Sequence, residues 1–200
     1  MRSHRLSGLV LTMSASIIIA ACTPDAPAAV QPAALPTATP ATVVAEPTAT
    51  RPAARPLTFE ALKNTEYPSD LTPAKKVRLA NGKYEEAIQP GAASKIAVSL
   101  SQLYAMGDLN GDGVDDAAVV LVSNTGGSGV FYQLVAVLNE GGTPKPIAAT
   151  MLGDRVKLES LTIKSGEIVV EMLTQGPKDP LCCPSLKSTR SFRLQGDRLV

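Results

Sequence analysis

Hydrophobic and polar positions divide the chain into three stretches. A basic start carrying Arg2 and Arg5 runs into an uncharged, mainly apolar stretch from Leu6 to Ala21. From Thr23 to about Pro56 bulky apolar side chains nearly vanish and Ala, Thr and Pro dominate. Beyond Leu57 the pattern is short and two-periodic, the mark of strands. Phe59-Glu-Ala-Leu-Lys-Asn64 allows one or two helical turns, with Thr58 placed to cap them. Lys76–Leu79 and Lys83–Glu86 flank Asn81-Gly82, a dipeptide that favours positive φ at both turn positions and so predicts a hairpin between them. Ile96–Leu100 leads to Tyr104–Met106, and Ala117–Val122 is a continuous apolar run expected of a strand buried on both faces. Further strands are expected over Val130–Leu138, Ile147–Leu152, Val156–Ile163, Glu167–Leu173 and Lys187–Leu194, with Gly141-Gly142, Ser165-Gly166 and Gly196-Asp197 as turns and Leu199-Val200 closing the chain. Many strands without an intervening long helix predict an all-β fold, mainly an antiparallel meander closed as a sandwich or partial barrel, with one short N-terminal helix.

The apolar stretch is short for a membrane span, which needs about 20 residues, and has the three-part layout of an export signal. It ends Ile19-Ala20-Ala21-Cys22. Small residues followed at once by a cysteine resemble the bacterial lipobox. That resemblance implies cleavage before Cys22, a thioether-linked diacylglycerol on its sulfur and acylation of the new amino terminus, palmitate being the expected kind of chain. Two or more acyl chains anchor stably where one binds marginally. An ordinary secretory signal, or an uncleaved anchor in which Cys22 is incidental, is the alternative. Thr23 stands where some lipoproteins carry an aspartate that retains them at an inner membrane. The resemblance implies a division into a lipoprotein signal peptide over 1–21, an acylated cysteine and disordered linker over 22–56, and a β-rich extracytoplasmic domain over 57–200.

Half of the 16 prolines fall in the linker, in repeats such as Pro36-Thr-Ala-Thr-Pro40 and Pro47-Thr-Ala-Thr. With so little apolar surface to bury, the entropy of ordering is not recovered. Proline keeps such a segment extended, and about 34 residues at roughly 3.1 Å each reach on the order of 100 Å at full stretch. A spacer holding a domain clear of a lipid surface is the expectation; a proline-rich ligand for a partner groove is the alternative.

Composition narrows the chemistry. The one histidine is His4, and tryptophan is absent. Removal of the signal would leave no imidazole, and with it would go Ser-His, Cys-His and His-ligated zinc chemistry. The formal charge of +1 falls to −1 when Arg2 and Arg5 leave, so no electrostatic footprint for nucleic acid is expected.

The most specific signal in the mature chain is Gly107-Asp108-Leu-Asn110-Gly-Asp112-Gly-Val114-Asp115-Asp116. Oxygen donors recur at alternate positions, and a hard cation such as calcium takes about six to eight of them at roughly 2.3–2.6 Å. Gly111 and Gly113 let the loop curl. Position twelve would be Val119, not the bidentate glutamate of an EF-hand, and no helices are expected on either side. The arrangement resembles the calcium loop of FG-GAP and related repeats, sharing D-x-N-x-D-G-x-x-D. That resemblance implies Asp108, Asn110, Asp112, the Val114 carbonyl and Asp116 as ligands of a structural Ca2+, with Asp115 facing outward. It covers about ten residues and occurs once, so it concerns the ion and not the propeller fold. An Asx-rich hairpin that never meets metal is the alternative.

Asn124-Thr-Gly-Gly-Ser-Gly129 lacks the Gly-Lys-Ser/Thr ending of a phosphate loop and precedes strand-like Val130-Phe-Tyr, so a mobile hairpin tip is expected. Cys182-Cys183, within Asp179-Pro-Leu-Cys-Cys-Pro184, is left as an even pair once Cys22 is acylated. Three states stay open: a vicinal disulfide shaping the loop, free thiols without chemistry, and soft-metal or redox work. Glu85, Glu86, Glu159, Glu167 and Glu171 fall in expected strands, where solvated outer faces are the default. The acidic loop, the valine-rich strand after it, the Gly-Gly-Ser-Gly tip, Gly153-Asp-Arg-Val156 and the Cys-Cys-Pro segment together resemble a group of uncharacterised bacterial lipoproteins over most of residues 58–200. The resemblance implies one exported domain and carries no activity.

The functional expectation is a non-enzymatic binding or structural module of the cell envelope. It would be tethered extracytoplasmically to a membrane by its lipid, with an envelope protein or glycan as partner and no nucleic acid. An envelope hydrolase using paired carboxylates is the rival, and a thiol- or soft-metal-handling protein acting through Cys182 and Cys183 is the third reading.

Overall fold

The computed structural model describes residues 55–200. The expected signal, Cys22 and the expected linker as far as Ala54 lie outside the described residues. Among the described residues one helix, α1 (Phe59–Lys63), precedes eleven strands: β1 (Glu66–Pro68), β2 (Lys76–Arg78), β3 (Lys83–Ala87), β4 (Lys95–Gly107), β5 (Asp116–Asn124), β6 (Phe131–Glu140), β7 (Thr143–Asp154), β8 (Lys157–Lys164), β9 (Glu167–Thr174), β10 (Leu186–Gln195) and β11 (Arg198–Leu199). They form three antiparallel sheets, ordered β3-β4-β5-β6-β7, β11-β10-β9-β8 and β1-β2. The fold is therefore all-β, as the pattern predicts, and its sheets stay open, with no closed barrel among the described residues. Among those residues no helix is long and apolar enough to cross a membrane.

The five-stranded sheet is the centre of the described domain because its middle strands are apolar on both faces. Ala117–Leu121 and Leu134–Val137 are all fully buried. Alternate residues serve two cores. Ala117, Val119, Leu121, Val135 and Val137 meet Leu62 of α1, Tyr67 and Val77 of the β1–β2 hairpin, and Leu57 and Leu79 just outside these elements. Ala118, Val120, Leu134 and Ala136 face the other way, onto Leu161, Ile168, Val170 and Met172 of the four-stranded sheet. Covering both faces of one sheet is what allows the continuous apolar run of β5.

Local signals act as their chemistry dictates. Thr58 has extended backbone and its Oγ1 accepts the Ala61 N–H at 3.1 Å, capping α1. Tyr67 is wholly buried and donates its hydroxyl to the Leu62 carbonyl at 2.8 Å, so the polar end of the ring is satisfied inside the core. Asn81 and Gly82 both adopt positive φ, at 51° and 80°.

One pairing differs from expectation. The Asn81-Gly82 turn closes a single bridge between Ala80 and Lys83 and goes no further. The strand before it pairs with β1, through Glu66↔Arg78 and Tyr67↔Val77, while β3 pairs with β4, from Lys83↔Ser99 to Ala87↔Lys95. The turn therefore hands the chain from one sheet to another. The physical reason is burial: pairing with β1 places Val77 beside Tyr67 in the first core, where both are almost wholly excluded from water.

Two local features set the course of β4. Leu100 pairs with Leu121 and Tyr104 with Val119, so Ser101, Gln102 and Leu103 bulge without registered partners in β5. At its end, a Cβ on Gly107 would stand 2.7 Å from Ile163 Cγ2, so only glycine lets β4 approach β8 this closely.

Candidate functional site

The acidic loop joins β4 to β5 with Gly107 and Asp116 as its paired base. Its short polar side chains fold the backbone. Asp108 accepts the Gly111 N–H at 2.7 Å through Oδ1 and the Gly113 N–H at 2.8 Å through Oδ2. Asn110 Oδ1 accepts from Asp112 N at 2.9 Å, and Asp112 Oδ1 from Val114 N at 2.8 Å. Gly111 and Gly113 both have φ of 81°, a conformation that side chains resist. These bonds hold the Asp108 carboxyl below its ordinary range, the Gly113 N–H contributing most.

Asp116 is the anchor of the loop and is fully buried. Its Oδ2 accepts the Leu109 N–H at 3.0 Å and its Oδ1 the Asn139 N–H at 2.8 Å. Burial pushes its carboxyl above the usual range, the two N–H bonds pull it back, and the charges of Asp112 and Asp108 add to the rise. Asn139 completes the base. Its Nδ2 donates to the Asp115 carbonyl at 3.2 Å and to the Arg55 carbonyl at 2.9 Å, and its Oδ1 accepts the Gly142 N–H at 2.6 Å. Sequence reasoning missed Asn139; its place before Gly141-Gly142 was the available signal.

The donor set of Asp108, Asn110, Asp112, the Val114 carbonyl and Asp116 suits a hard cation in chemistry, with three carboxylates and only oxygen atoms. Its arrangement is another matter. Among the described residues no three His, Cys, Asp or Glu side chains gather closely enough to hold a metal ion. The loop is held closed by its own backbone N–H groups, and Asp115 lies exposed.

The second distinctive segment, between β9 and β10, is organised in the same manner by Asp179. Its carboxylate accepts from Gly176 N at 2.8 Å, Ser185 N at 2.7 Å and Ser185 Oγ at 2.8 Å. These bonds hold the carboxyl below its ordinary range, Gly176 first. Gln175 Nε2 donates to the Leu181 carbonyl at 3.1 Å and Cys183 N to the Pro180 carbonyl at 2.9 Å. At the tip Cys182 and Cys183 are joined as a vicinal disulfide, their Cα atoms 3.8 Å apart. Both cysteines are exposed, and Leu181 beside them is 70% exposed.

The disulfide forms part of the wall of a groove of about 910 Å³. The floor is apolar, with Leu103, Val122, Val130, Tyr132, Leu158 and Leu173, and the rim carries Gln102, Lys157 and Glu159. Glu159 is the one carboxylate of the lining. One end is fixed by Arg155, a non-glycine residue with φ of 50°. Its guanidinium pairs with Asp154 at 3.2 Å and donates from Nε to the Ser128 carbonyl at 3.1 Å, while Asp154 Oδ1 accepts the Val130 N–H at 2.8 Å. The glycine-rich segment Asn124–Gly129 is thus tied to the groove, and β6 rather than a helix follows it.

The structure therefore separates the sequence candidates into two places. The acidic loop borders Ile163, Ser165 and Gly166 in a smaller cleft, and the cysteine pair lines the large groove with Tyr132 and the start of β8. Of the scattered acids, Glu85 pairs with Lys95 at 3.0 Å and Glu167 with Arg193 at 2.7 Å, and Tyr84 donates to Glu86 at 2.8 Å. Comparison with protein-family models, with curated proteins and with solved structures finds no match to this chain.

Proposed function

We propose that this chain is a lipid-anchored extracytoplasmic protein whose β-rich domain is a non-enzymatic binding module of the cell envelope. The observation that carries the binding role is the groove: about 910 Å³, apolar in its floor and polar at its rim, within the usual size of a ligand site. A hydrolase of the two-carboxylate kind needs a second acid at about 5–10 Å from the first, and the groove offers Glu159. The anchor rests on the Ile19-Ala20-Ala21-Cys22 sequence, with the membrane as the first partner and an envelope protein or glycan as the second. The test is the intact mass of the full-length chain recovered from membranes of a bacterial host. A chain beginning at Cys22 and carrying diacylglycerol and a further acyl group supports the proposal. A soluble chain without lipid contradicts it.

The acidic loop is proposed as a structural calcium site. The buried Asp116 carboxylate, near the charges of Asp112 and Asp108, is the supporting observation, because a cation would offset that repulsion. The three carboxylates are not gathered for a metal as the loop stands, so Asp108, Asn110, Asp112, the Val114 carbonyl and Asp116 would hold the ion only after the loop rearranges around it, and the ion would supply charge neutralisation and no reaction chemistry. At a hundredfold excess over Kd, calcium stabilises by about 2.7 kcal/mol, a rise in Tm of about 5–10 °C. Asp112→Ala removes that rise. Identical melting curves in calcium and in chelator contradict the site.

A further inference from the structure

Two strand edges meet at the groove without a strand between them. β8 is the outer strand of its sheet, so one of its backbone edges carries no neighbour. β3 ends opposite Ser99, so the outer edge of β4 carries no strand from Ser101 onward. The two strands touch where Gly107 meets Ile163. Nearer their other ends, Ser101–Leu103 of β4 and Lys157–Glu159 of β8 line the groove. β4 and β8 thus touch at one end and border the groove together at the other.

We propose that the groove takes an extended polypeptide segment, added as a strand along the β8 edge, with apolar side chains at every second position. The proposal deepens the binding-module reading and rests on it. Three observations favour a peptide. A bare strand edge offers N–H and C=O groups that another polypeptide backbone pairs with, here on either side of the bulge between Leu158 and Ser160. The floor on the core side is apolar at Leu103, Tyr132, Leu158 and Leu173, which suits alternate side chains of a strand facing inward. The size agrees: a strand residue fills about 160 Å³, from roughly 3.3 Å of rise, 4.8 Å between strands and 10 Å between sheets, so about 910 Å³ seats five or six residues. The disulfide loop, braced by Asp179, presents Cys182 and Cys183 to this groove in a fixed form, with exposed Leu181 next in the chain, which lowers the ordering cost of capture.

The probe is the hexapeptide acetyl-Ser-Val-Ser-Val-Ser-Val-amide, added to the full-length chain, with binding read by calorimetry and by amide exchange. Two further peptides carry N-methyl groups on the serines or on the valines, and an N-acetylated tetrasaccharide serves as the glycan arm. The expected result is saturable binding that slows exchange of Lys157–Glu159 at least tenfold. At least one N-methylated peptide then binds tenfold more weakly, and Leu181→Asp and Ser101→Trp each weaken binding fivefold or more. Leu181→Asp lies on an exposed tip, so it keeps the test valid should Ser101→Trp disturb β4. Equal binding of all three peptides overturns the proposal, as does tetrasaccharide binding without peptide binding; the latter leaves the binding-module reading standing. Binding of neither probe, with β9 amides still protected, overturns both.

Discussion

The acidic loop and the disulfide loop are built by one device and put to opposite ends. In each, an aspartate gathers backbone N–H groups that the strands leave unpaired: Asp108 takes those of Gly111 and Gly113, and Asp179 those of Gly176 and Ser185. The difference lies in what stands behind them. The acidic loop is rooted in Asp116, wholly buried and bonded to β6 through Asn139. The disulfide loop has no buried polar root, and its apolar tip faces solvent at Leu181 and the groove at Cys182 and Cys183. A loop tied into the core is placed to serve the fold; a braced loop with an exposed apolar tip is placed to serve a partner.

Breaking the root of the acidic loop should have the largest effect. Asp116→Ala leaves the Leu109 and Asn139 N–H groups buried without an acceptor, at about 1–3 kcal/mol each. A loss of about 3 kcal/mol in urea unfolding is expected, and a loss below about 1 kcal/mol would put the two loops on the same footing. Reduction of Cys182–Cys183 should cost far less. A bridge between adjacent residues closes the shortest loop and removes little entropy from the unfolded chain, so the change should stay below about 1 kcal/mol. Nonreduced and reduced peptides should differ by two hydrogens in mass, and reduction should weaken capture in the groove rather than melt the sheets.

The smallest effect is the pH response of the disulfide loop. Folding lowers the Asp179 carboxyl, so its contribution is present above the unfolded value and fades as pH falls through the folded one. Amides of Gly176 and Ser185 should exchange faster, at matched intrinsic rate, only in that acidic window. Loss of protection near neutral pH would show that the carboxylate is not their acceptor.

The contrast also explains what could be read from the sequence. The acidic loop was legible because its ligand-like spacing is local, and β5 because Ala117–Val122 has no polar position to turn outward. Asn81-Gly82 showed the turn but not its partners, since β1 is three residues long and too short to display a period. The groove was not legible at all. It depends on the bulge at Ser101–Leu103 and on the contact between Gly107 and Ile163, a relation between residues more than fifty positions apart. Cys182-Cys183 was visible as a pair, but its place in the groove wall follows from how the sheets meet.

Amide exchange followed in parallel with calcium and with the hexapeptide separates the two roles most directly. Calcium should protect Leu109–Val114 and Asn139 and leave Lys157–Glu159 unchanged, while the peptide should do the reverse. Calcium that protects the groove, or peptide that protects the acidic loop, would contradict the division between a loop that serves the fold and a loop that serves the partner.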